Sequence, residues 1–225
     1  MKPFTTLATA RTPDGEELTL HAHDGQFYLR VNRQPLMGTN ASASEKALAE
    51  LGCADLIGKP APTVLIGGLG FGFTLRRVLE LTGKTAVVHV AELLPEIVAW
   101  NREFLSAVNG TLPDDPRVAL FIDDVFNVIK KAAAGTYDAI LLDVDNGPIA
   151  MVQDENARLY HGAGLALISR ALKPGGCVAF WSASNDRSFA NRLTKAGFKT
   201  DIVPAKPHER ARRCTHTVFV ARRKA

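Results

Sequence analysis

The chain has 225 residues, of which 46% are hydrophobic and 22% are charged. This balance provides the apolar side chains for one sizeable core and excludes a disordered, collagen-like or coiled-coil protein. No stretch reaches the roughly 18 to 20 apolar residues of a membrane span, and the first 20 residues lack the apolar run of a signal peptide. We therefore expect a cytoplasmic protein without a membrane partner.

The charge is unevenly distributed along a chain whose formal net charge is +4. Residues 206–225 hold seven Lys and Arg against a single acid, Glu209. A basic segment can attract nucleic acid, but it is more often a solvated face. We expect a small-molecule acceptor as the partner, with nucleic acid as the less favoured alternative. The sequence leaves the oligomeric state open, and a homodimer is one alternative.

The cysteines and histidines indicate no special chemistry. Cys53, Cys177 and Cys214 lie far apart and form no CxxC pair, which argues against a disulfide framework and against a zinc site. His21 and His23 alternate on one predicted strand, but two histidines without a third ligand are more often surface residues. We expect no metal site.

The first sixty residues have their own pattern. ELTLHAHD and QFYLRVNRQP alternate polar and apolar residues around Asp24-Gly25, which predicts a β-hairpin. Apolar and small residues then recur at helical spacing from Ser42 to Gly52, before two prolines interrupt the chain. We predict a small N-terminal region of hairpin and helix, residues 1–59, and a larger domain, residues 60–225.

The larger domain alternates short β-branched runs with helical segments. Such alternation is typical of a parallel sheet with crossover helices. The last two strand-like runs, GFKTDIVPA and HTVFVARR, resemble a closing antiparallel pair. The predicted fold class is α/β: a doubly wound, seven-stranded sheet of the class I methyltransferase type, beside the small N-terminal β-hairpin region. Helices are predicted at about 72–82, 94–106, 124–132, 157–172 and 186–195.

A glycine-rich loop follows the first strand of this domain and precedes a helix. Its glycines, Gly68, Gly70 and Gly72, let the backbone turn sharply and let a ligand approach the helix N-terminus. Glu92 ends the next strand, where a carboxylate can accept both hydroxyls of a ribose. The pattern predicts a nucleoside site. The structural alternative is a tight turn, with Glu92 as a favourable charge at a helix N-terminus.

Four more acids lie at strand ends. Asp123 and Asp124 follow VALFI; Asp124 is suited to cap the next helix, which leaves Asp123 to accept the exocyclic amine of adenine. Asp143 ends YDAILLD, and Asp145 follows two residues later. The carboxyl ends of such strands line the ligand crevice. We therefore predict that Asp143 and Asp145 contact the reacting group, and the alternative is a cluster of turn-forming residues.

Several segments, taken in order, resemble the spermidine/spermine synthase (polyamine aminopropyltransferase) family over about residues 60–222. These segments are VLIGGLGFGFTLRRVLE, VAELLPEIVAWNRE, DDVFNVIK, YDAILLDVDNGP, LYHGAGLALISRALKPGG and THTVFVAR. The resemblance implies a transferase whose donor is S-adenosylmethionine or its decarboxylated form.

The resemblance also implies a role for each predicted site residue. It puts the three loop glycines around the sulfonium nucleoside, Glu92 on the ribose and Asp123 on the adenine. We also count Asp124, the neighbour of Asp123, among the predicted cofactor-binding residues. It puts Asp143 on the acid that activates the attacking amine.

The sequence departs from this family at three places. Phe71 stands where the family's glycine loop has the acid that holds the ammonium of the aminopropyl group. The family's Tyr-His-Glu cluster aligns with Ala43-Ser44-Glu45, so that only Glu45 is retained to meet a diamine. The family's Asp-Ser-Ser-Asp-Pro gate is contracted to residues 143–148. These departures imply a remodelled acceptor pocket and a relaxed preference for the decarboxylated donor.

The leading hypothesis is a transferase that moves an alkyl group from an adenosyl sulfonium to an acceptor that the sequence does not identify, an amine being one class that fits. Because Phe71 replaces the family's acid, methyl transfer is slightly favoured as the reaction. Aminopropyl transfer by a true polyamine aminopropyltransferase is the alternative. A NAD-dependent oxidoreductase and a non-catalytic nucleoside-binding protein are alternatives of other classes.

Overall fold

The protein, described here from a computed structural model, is ordered into two sheets over residues 3–144 and 158–225. The smaller sheet is an antiparallel meander of four strands in chain order. Its members are β1 (Thr5–Arg11), β2 (Glu17–His23), β3 (Gln26–Val31) and β4 (Gln34–Gly38). The predicted hairpin is β2–β3, and both turn residues have positive φ, 47° at Asp24 and 75° at Gly25, as a two-residue hairpin turn requires. The sequence did not indicate β1 and β4.

The larger sheet has seven strands in the order β10-β11-β9-β8-β5-β6-β7. The strands are β5 (Thr63–Gly67), β6 (Val87–Glu92), β7 (Val118–Ile122), β8 (Tyr137–Leu142), β9 (Leu172–Ser182), β10 (Lys199–Ala205) and β11 (His216–Arg222). Neighbours from β9 to β7 are parallel, and β11 runs antiparallel to both β9 and β10. This arrangement confirms the predicted α/β class and the closing antiparallel pair.

Seven helices accompany the sheets in the described residues. They are α1 (Ala43–Gly52), α2 (Phe73–Leu81), α3 (Pro95–Glu103), α4 (Ser106–Asn109), α5 (Val125–Lys131), α6 (Gly162–Ala171) and α7 (Arg187–Lys195). Helix α6 begins later than the sequence predicts, because His161 before it has an extended backbone with φ −106° and ψ 168°.

Helix α1 packs closely on the larger sheet. An added Cβ at Gly52 would lie 2.1 Å from Leu141 of β8 and 3.2 Å from Ala179 of β9, so the last turn of α1 needs glycine to approach the strands. The apolar face of the smaller sheet, including Leu20 and Leu29, belongs to the same buried cluster. One continuous apolar core therefore connects the small sheet, α1 and one face of the large sheet.

The strand order reverses at β5, whose neighbours are β6 on one side and β8 on the other. Ligands of doubly wound sheets bind at the carboxyl ends of strands near such a point. Gly67 and Leu142 pair across it, and Asp143 N donates to Gly67 O at 2.9 Å. The glycine loop and Asp143 are thus brought together. Asp145 and the rest of the contracted segment at 145–148 lie outside the described residues.

Candidate active site

The glycine loop between β5 and α2 requires glycine at alternate positions. Gly68, Gly70 and Gly72 have φ of 87°, 50° and 77°, in the left-handed region that L side chains disfavour. A Cβ at Gly68 would lie 2.5 Å from the carbonyl oxygen of Asp143. The loop therefore passes directly against the backbone at the end of β8.

Glu92 is buried and bound to the backbone of this loop. Its Oε2 accepts from Leu69 N at 2.8 Å and its Oε1 accepts from Leu94 N at 3.0 Å. Burial raises the pKa of Glu92, while these backbone hydrogen bonds act in the opposite direction. Glu92 thus positions the loop, and its contact with a ribose stays a prediction.

Two buried asparagines that the sequence analysis did not single out fix the carbonyl groups of the loop. Asn101 Nδ2 of α3 donates to Gly70 O at 2.8 Å, and Asn109 of α4 donates to Phe71 O. Asn109 also donates to Asn101 Oδ1 at 3.2 Å. For Asn101, the sequence signal is a lone asparagine directly after the apolar residues IVAW of α3.

Phe71 is a core residue. Its side chain is 1% exposed and packs edge-to-face on Phe73, with ring centroids 6.4 Å apart. The position that carries an acid in the resembling family is thus apolar and closed to solvent here. Phe71 offers no charge to the tail of a bound donor.

The smaller sheet covers the glycine loop. An added Cβ at Gly70 would lie 3.0 Å from the terminal methyl of Met37, in β4. The loop therefore lies between the large sheet and the N-terminal meander. A side chain at position 70 would push against Met37.

The two acids after β7 have different surroundings. Asp124 is buried, caps α5 by accepting from Phe126 N at 2.7 Å and pairs with Arg158 at 2.5 Å. Asp123 Oδ2 pairs with Lys131 at 2.8 Å, and its Oδ1 accepts from Asn127 at 2.9 Å. The Lys131 hydrogen bond is the main cause that lowers the pKa of Asp123. The expected cap at Asp124 is present. Asp123 is bound by Lys131 and Asn127 of α5, and its contact with adenine stays a prediction.

A pair of acids occupies the other side of the crevice. Glu45, in the first turn of α1, is buried and accepts from the Ser44 hydroxyl at 2.7 Å. Asp143 Oδ2 accepts from the Thr74 hydroxyl of α2 at 2.9 Å. The Thr74 hydroxyl also lies 3.5 Å from the backbone oxygen of Glu45. Helices α1 and α2 thus place both carboxyl groups beside the glycine loop.

The two carboxyl groups influence each other. Burial, and then the negative charge of Asp143, raise the pKa of Glu45 to about 7. Burial raises the pKa of Asp143 to about 6, although the hydrogen bond from Thr74 acts to lower it. A closely spaced acid pair of this kind can hold a cation and can accept a proton near neutral pH.

Within residues 3–144 and 158–225, no cluster of three or more His, Cys, Asp or Glu could hold a metal ion. None of the helices there combines the length and the apolar content that crossing a membrane demands.

The chain matches the model of the spermine/spermidine synthase domain over residues 46–189, more than half of its length. The match begins within α1, one residue after Glu45, and includes the glycine loop, Glu92, both acids after β7 and Asp143.

Two curated proteins similar to this chain are named for different activities, aminopropyl transfer and methyl transfer. A polyamine aminopropyltransferase of Mycobacterium tuberculosis (strain ATCC 25618 / H37Rv) is 33% identical over 126 residues, 55% of this chain and 23% of that protein. Putrescine N-methyltransferase 1 of Nicotiana tabacum is 34% identical over 122 residues, 54% of this chain and 30% of that protein. The matched segment thus spans less than a third of either relative.

A solved structure, the spermidine synthase of Thermotoga maritima, superposes over 96% of this chain and 72% of its own, with a TM-score of 0.76. At 16% identity this likeness establishes the fold alone.

Proposed function

This chain belongs to the spermine/spermidine synthase family, and from that premise we propose that it transfers an alkyl group from an adenosyl sulfonium donor to a small amine. The observation that carries the proposal is the acid pair Glu45 and Asp143 beside the glycine loop. The loop and Glu92 form the proposed nucleoside side of the crevice, and the acid pair forms the proposed acceptor side. The family assignment favours this chemistry over the oxidoreductase alternative.

The proposed reaction is a single in-line displacement. An amine carries a proton at neutral pH, because its pKa is near 10.4 for a lysine-like group. The acid pair would hold this ammonium and take up the proton. The amine nitrogen would then form a bond to the donor carbon as the carbon–sulfur bond breaks and its electron pair stays on sulfur. Since the sulfonium is already an activated leaving group, the protein would contribute mainly alignment and desolvation.

We favour the aminopropyl group as the group transferred, with decarboxylated S-adenosylmethionine as donor. The family match and the aminopropyltransferase relative support this choice at least as well as they support methyl transfer. This preference differs from the prediction made from the sequence of the glycine loop, which slightly favours methyl transfer.

Methyl transfer from S-adenosylmethionine is the second candidate, and Phe71 is the observation that favours it. A buried apolar ring offers no partner to the ammonium of an aminopropyl group, and it does not repel the carboxylate of the ordinary donor. The putrescine N-methyltransferase relative supports the same candidate.

Calorimetric titration of the purified protein with each donor tests the proposal and separates its two forms. Aminopropyl transfer predicts at least tenfold tighter binding of the decarboxylated donor, about 1.4 kcal/mol. Methyl transfer predicts equal or tighter binding of S-adenosylmethionine. Incubation of the preferred donor with 1,4-diaminobutane, followed by mass spectrometry, identifies the product. Binding of neither donor would contradict the proposed function, and donor binding without product from either 1,4-diaminobutane or 4-aminobutanoate would favour the non-catalytic alternative.

A further inference from the structure

A basic loop, residues 206–213, joins β10 to β11. Four cationic side chains in this loop are exposed: Lys206, Arg210, Arg212 and Arg213. Its single acid, Glu209, forms an ion pair with Lys46 of α1 at 3.7 Å. In the described part of the chain no carboxylate forms an ion pair with these four cations. The loop therefore carries a net positive charge exposed to solvent.

The strand directions place this loop at the ligand-binding edge of the sheet. β11 is antiparallel to β9 and β10 is antiparallel to β11, so β10 points the same way as β9. The chain leaves β10 at Ala205 on the edge where β8 ends before Asp143. His216, at the far end of the loop, lies 4.9 Å from the ring of Trp181 at the end of β9. The loop thus borders the acceptor side of the crevice.

The loop also contacts the helix turn that carries Glu45. Pro207 O accepts from Ala43 N at 3.3 Å, and Glu209 pairs with Lys46. Ala43 and Lys46 flank Glu45 in the first turn of α1. The basic loop therefore adjoins the helix turn that carries Glu45, and Arg210 directly follows the Glu209 that pairs with this turn.

We infer that the acceptor is an amine that also carries an anionic group, with its amine at Glu45 and Asp143 and its carboxylate or phosphate at the basic loop. This inference rests on the proposed function and specifies its acceptor. A diamine has two ammonium ends, of which the acid pair can hold only one. The second end would lie on the side of the crevice that the basic loop borders, where the loop's net positive charge disfavours an ammonium. An anionic end would instead meet guanidinium groups, which bind carboxylate and phosphate through paired hydrogen bonds.

The test compares acceptors of equal chain length. 4-Aminobutanoate and 1,4-diaminobutane share a four-carbon chain and differ in one end, and 3-aminopropyl phosphate distinguishes a phosphate from a carboxylate. Each probe is titrated by calorimetry into protein saturated with methylthioadenosine, and turnover with the preferred donor is measured in parallel. We expect at least tenfold preference for a probe with an anionic end at low salt, and we expect the preference to shrink as salt is added.

Charge-reversal variants test whether the basic loop is the source of the preference for an anionic end. Arg210→Glu combined with Arg212→Glu should lower affinity for the preferred anionic probe at least tenfold and raise affinity for 1,4-diaminobutane. The matched control is Lys84→Glu combined with Lys195→Glu, two exposed lysines that precede β6 and β10 at the opposite edge of the sheet. This control should leave the preference unchanged.

The outcomes separate this inference from the function on which it rests. Preference of the wild-type protein for 1,4-diaminobutane overturns the inference and leaves the proposed function standing. Equal loss in the loop variant and in the control overturns it too, because only the net charge would matter. Binding of none of the three probes contradicts both.

Discussion

The hydroxyl of Thr74 donates a 2.9 Å hydrogen bond to Oδ2 of Asp143, across 69 positions of sequence. Thr74 is the second residue of α2, the helix that begins directly after the glycine loop. The element that shapes the proposed nucleoside site thus also orients the proposed proton acceptor. Donor binding and acceptor activation are expected to be coupled through this helix turn.

Replacing Thr74 with valine removes this hydrogen bond and keeps the branched shape. Because the hydrogen bond lowers the pKa of Asp143, its loss should raise that pKa by about one unit, a change of about 1.4 kcal/mol. The rising limb of a pH–rate profile should therefore shift upward by about one pH unit. Thr74→Ser keeps the hydroxyl and should retain the wild-type profile. Identical profiles for Thr74→Val and the wild type would show that the contact does not tune Asp143.

The buried acid Glu45 should make the protein less stable as the pH rises. Its pKa is about 7 in the folded protein, against 4.5 for an ordinary glutamate. Between these values the folded state holds more protons than the unfolded state, so the free energy of unfolding falls with increasing pH. Glu45→Gln removes this dependence. Its stability relative to wild type should increase by about 1 to 3 kcal/mol between pH 5 and pH 8.

Urea denaturation at several pH values measures this difference. Glu50→Gln on the same helix is the control, because Glu50 forms only a surface ion pair with Arg77. Such a pair contributes roughly 0 to 1 kcal/mol, so the control should show no comparable trend with pH. A Glu45→Gln curve parallel to the wild-type curve would show that Glu45 titrates normally.

Replacing Glu92 should affect both binding and folding. Glu92→Ala deprives the amide groups of Leu69 and Leu94 of their acceptor, which should lower the free energy of unfolding by about 1 to 3 kcal/mol. The sequence alone suggests little change in folding, since it does not reveal these contacts. Nucleoside affinity should weaken by about 1.5 to 3 kcal/mol. Methylthioadenosine titration of the folded fraction checks this, and unchanged affinity would remove Glu92 from the nucleoside site.

The family's missing acid cannot simply be restored at position 71. Phe71→Asp would place a carboxylate in an apolar region and leave a cavity, which should cost about 3 to 5 kcal/mol or more. Phe71→Leu keeps an apolar side chain and should cost much less. Chemical denaturation of both variants tests this. If Phe71→Asp proves as stable as the wild type and prefers the decarboxylated donor, position 71 faces the crevice as the family resemblance implies.

The sequence predicted the large sheet well because β5 to β9 contain compact apolar runs, each followed along the chain by a helix. It did not predict β1 and β4. Thr5–Arg11 has mostly short or polar side chains, and Gln34–Gly38 contains a proline that usually weakens a strand. The boundary at residue 60 stays a prediction.

The site could be predicted only in part. Acids at strand ends are visible in a sequence because their position follows from the strand itself. The roles of Thr74, Asn101 and Asn109 depend on which helices meet at the glycine loop, and no local pattern distinguishes them from ordinary polar residues in helices. The burial of Phe71 likewise depends on tertiary packing.

The most direct test of the account is the turnover of Asp143→Asn, with the preferred donor and with 1,4-diaminobutane and 4-aminobutanoate as acceptors. Asparagine keeps the shape of the side chain and removes the proton acceptor and the negative charge. If Asp143 accepts the proton of the attacking amine, kcat should fall by about 10² to 10⁴ while the Kd of the donor changes far less. Full activity in Asp143→Asn would contradict the proposed role of the acid pair.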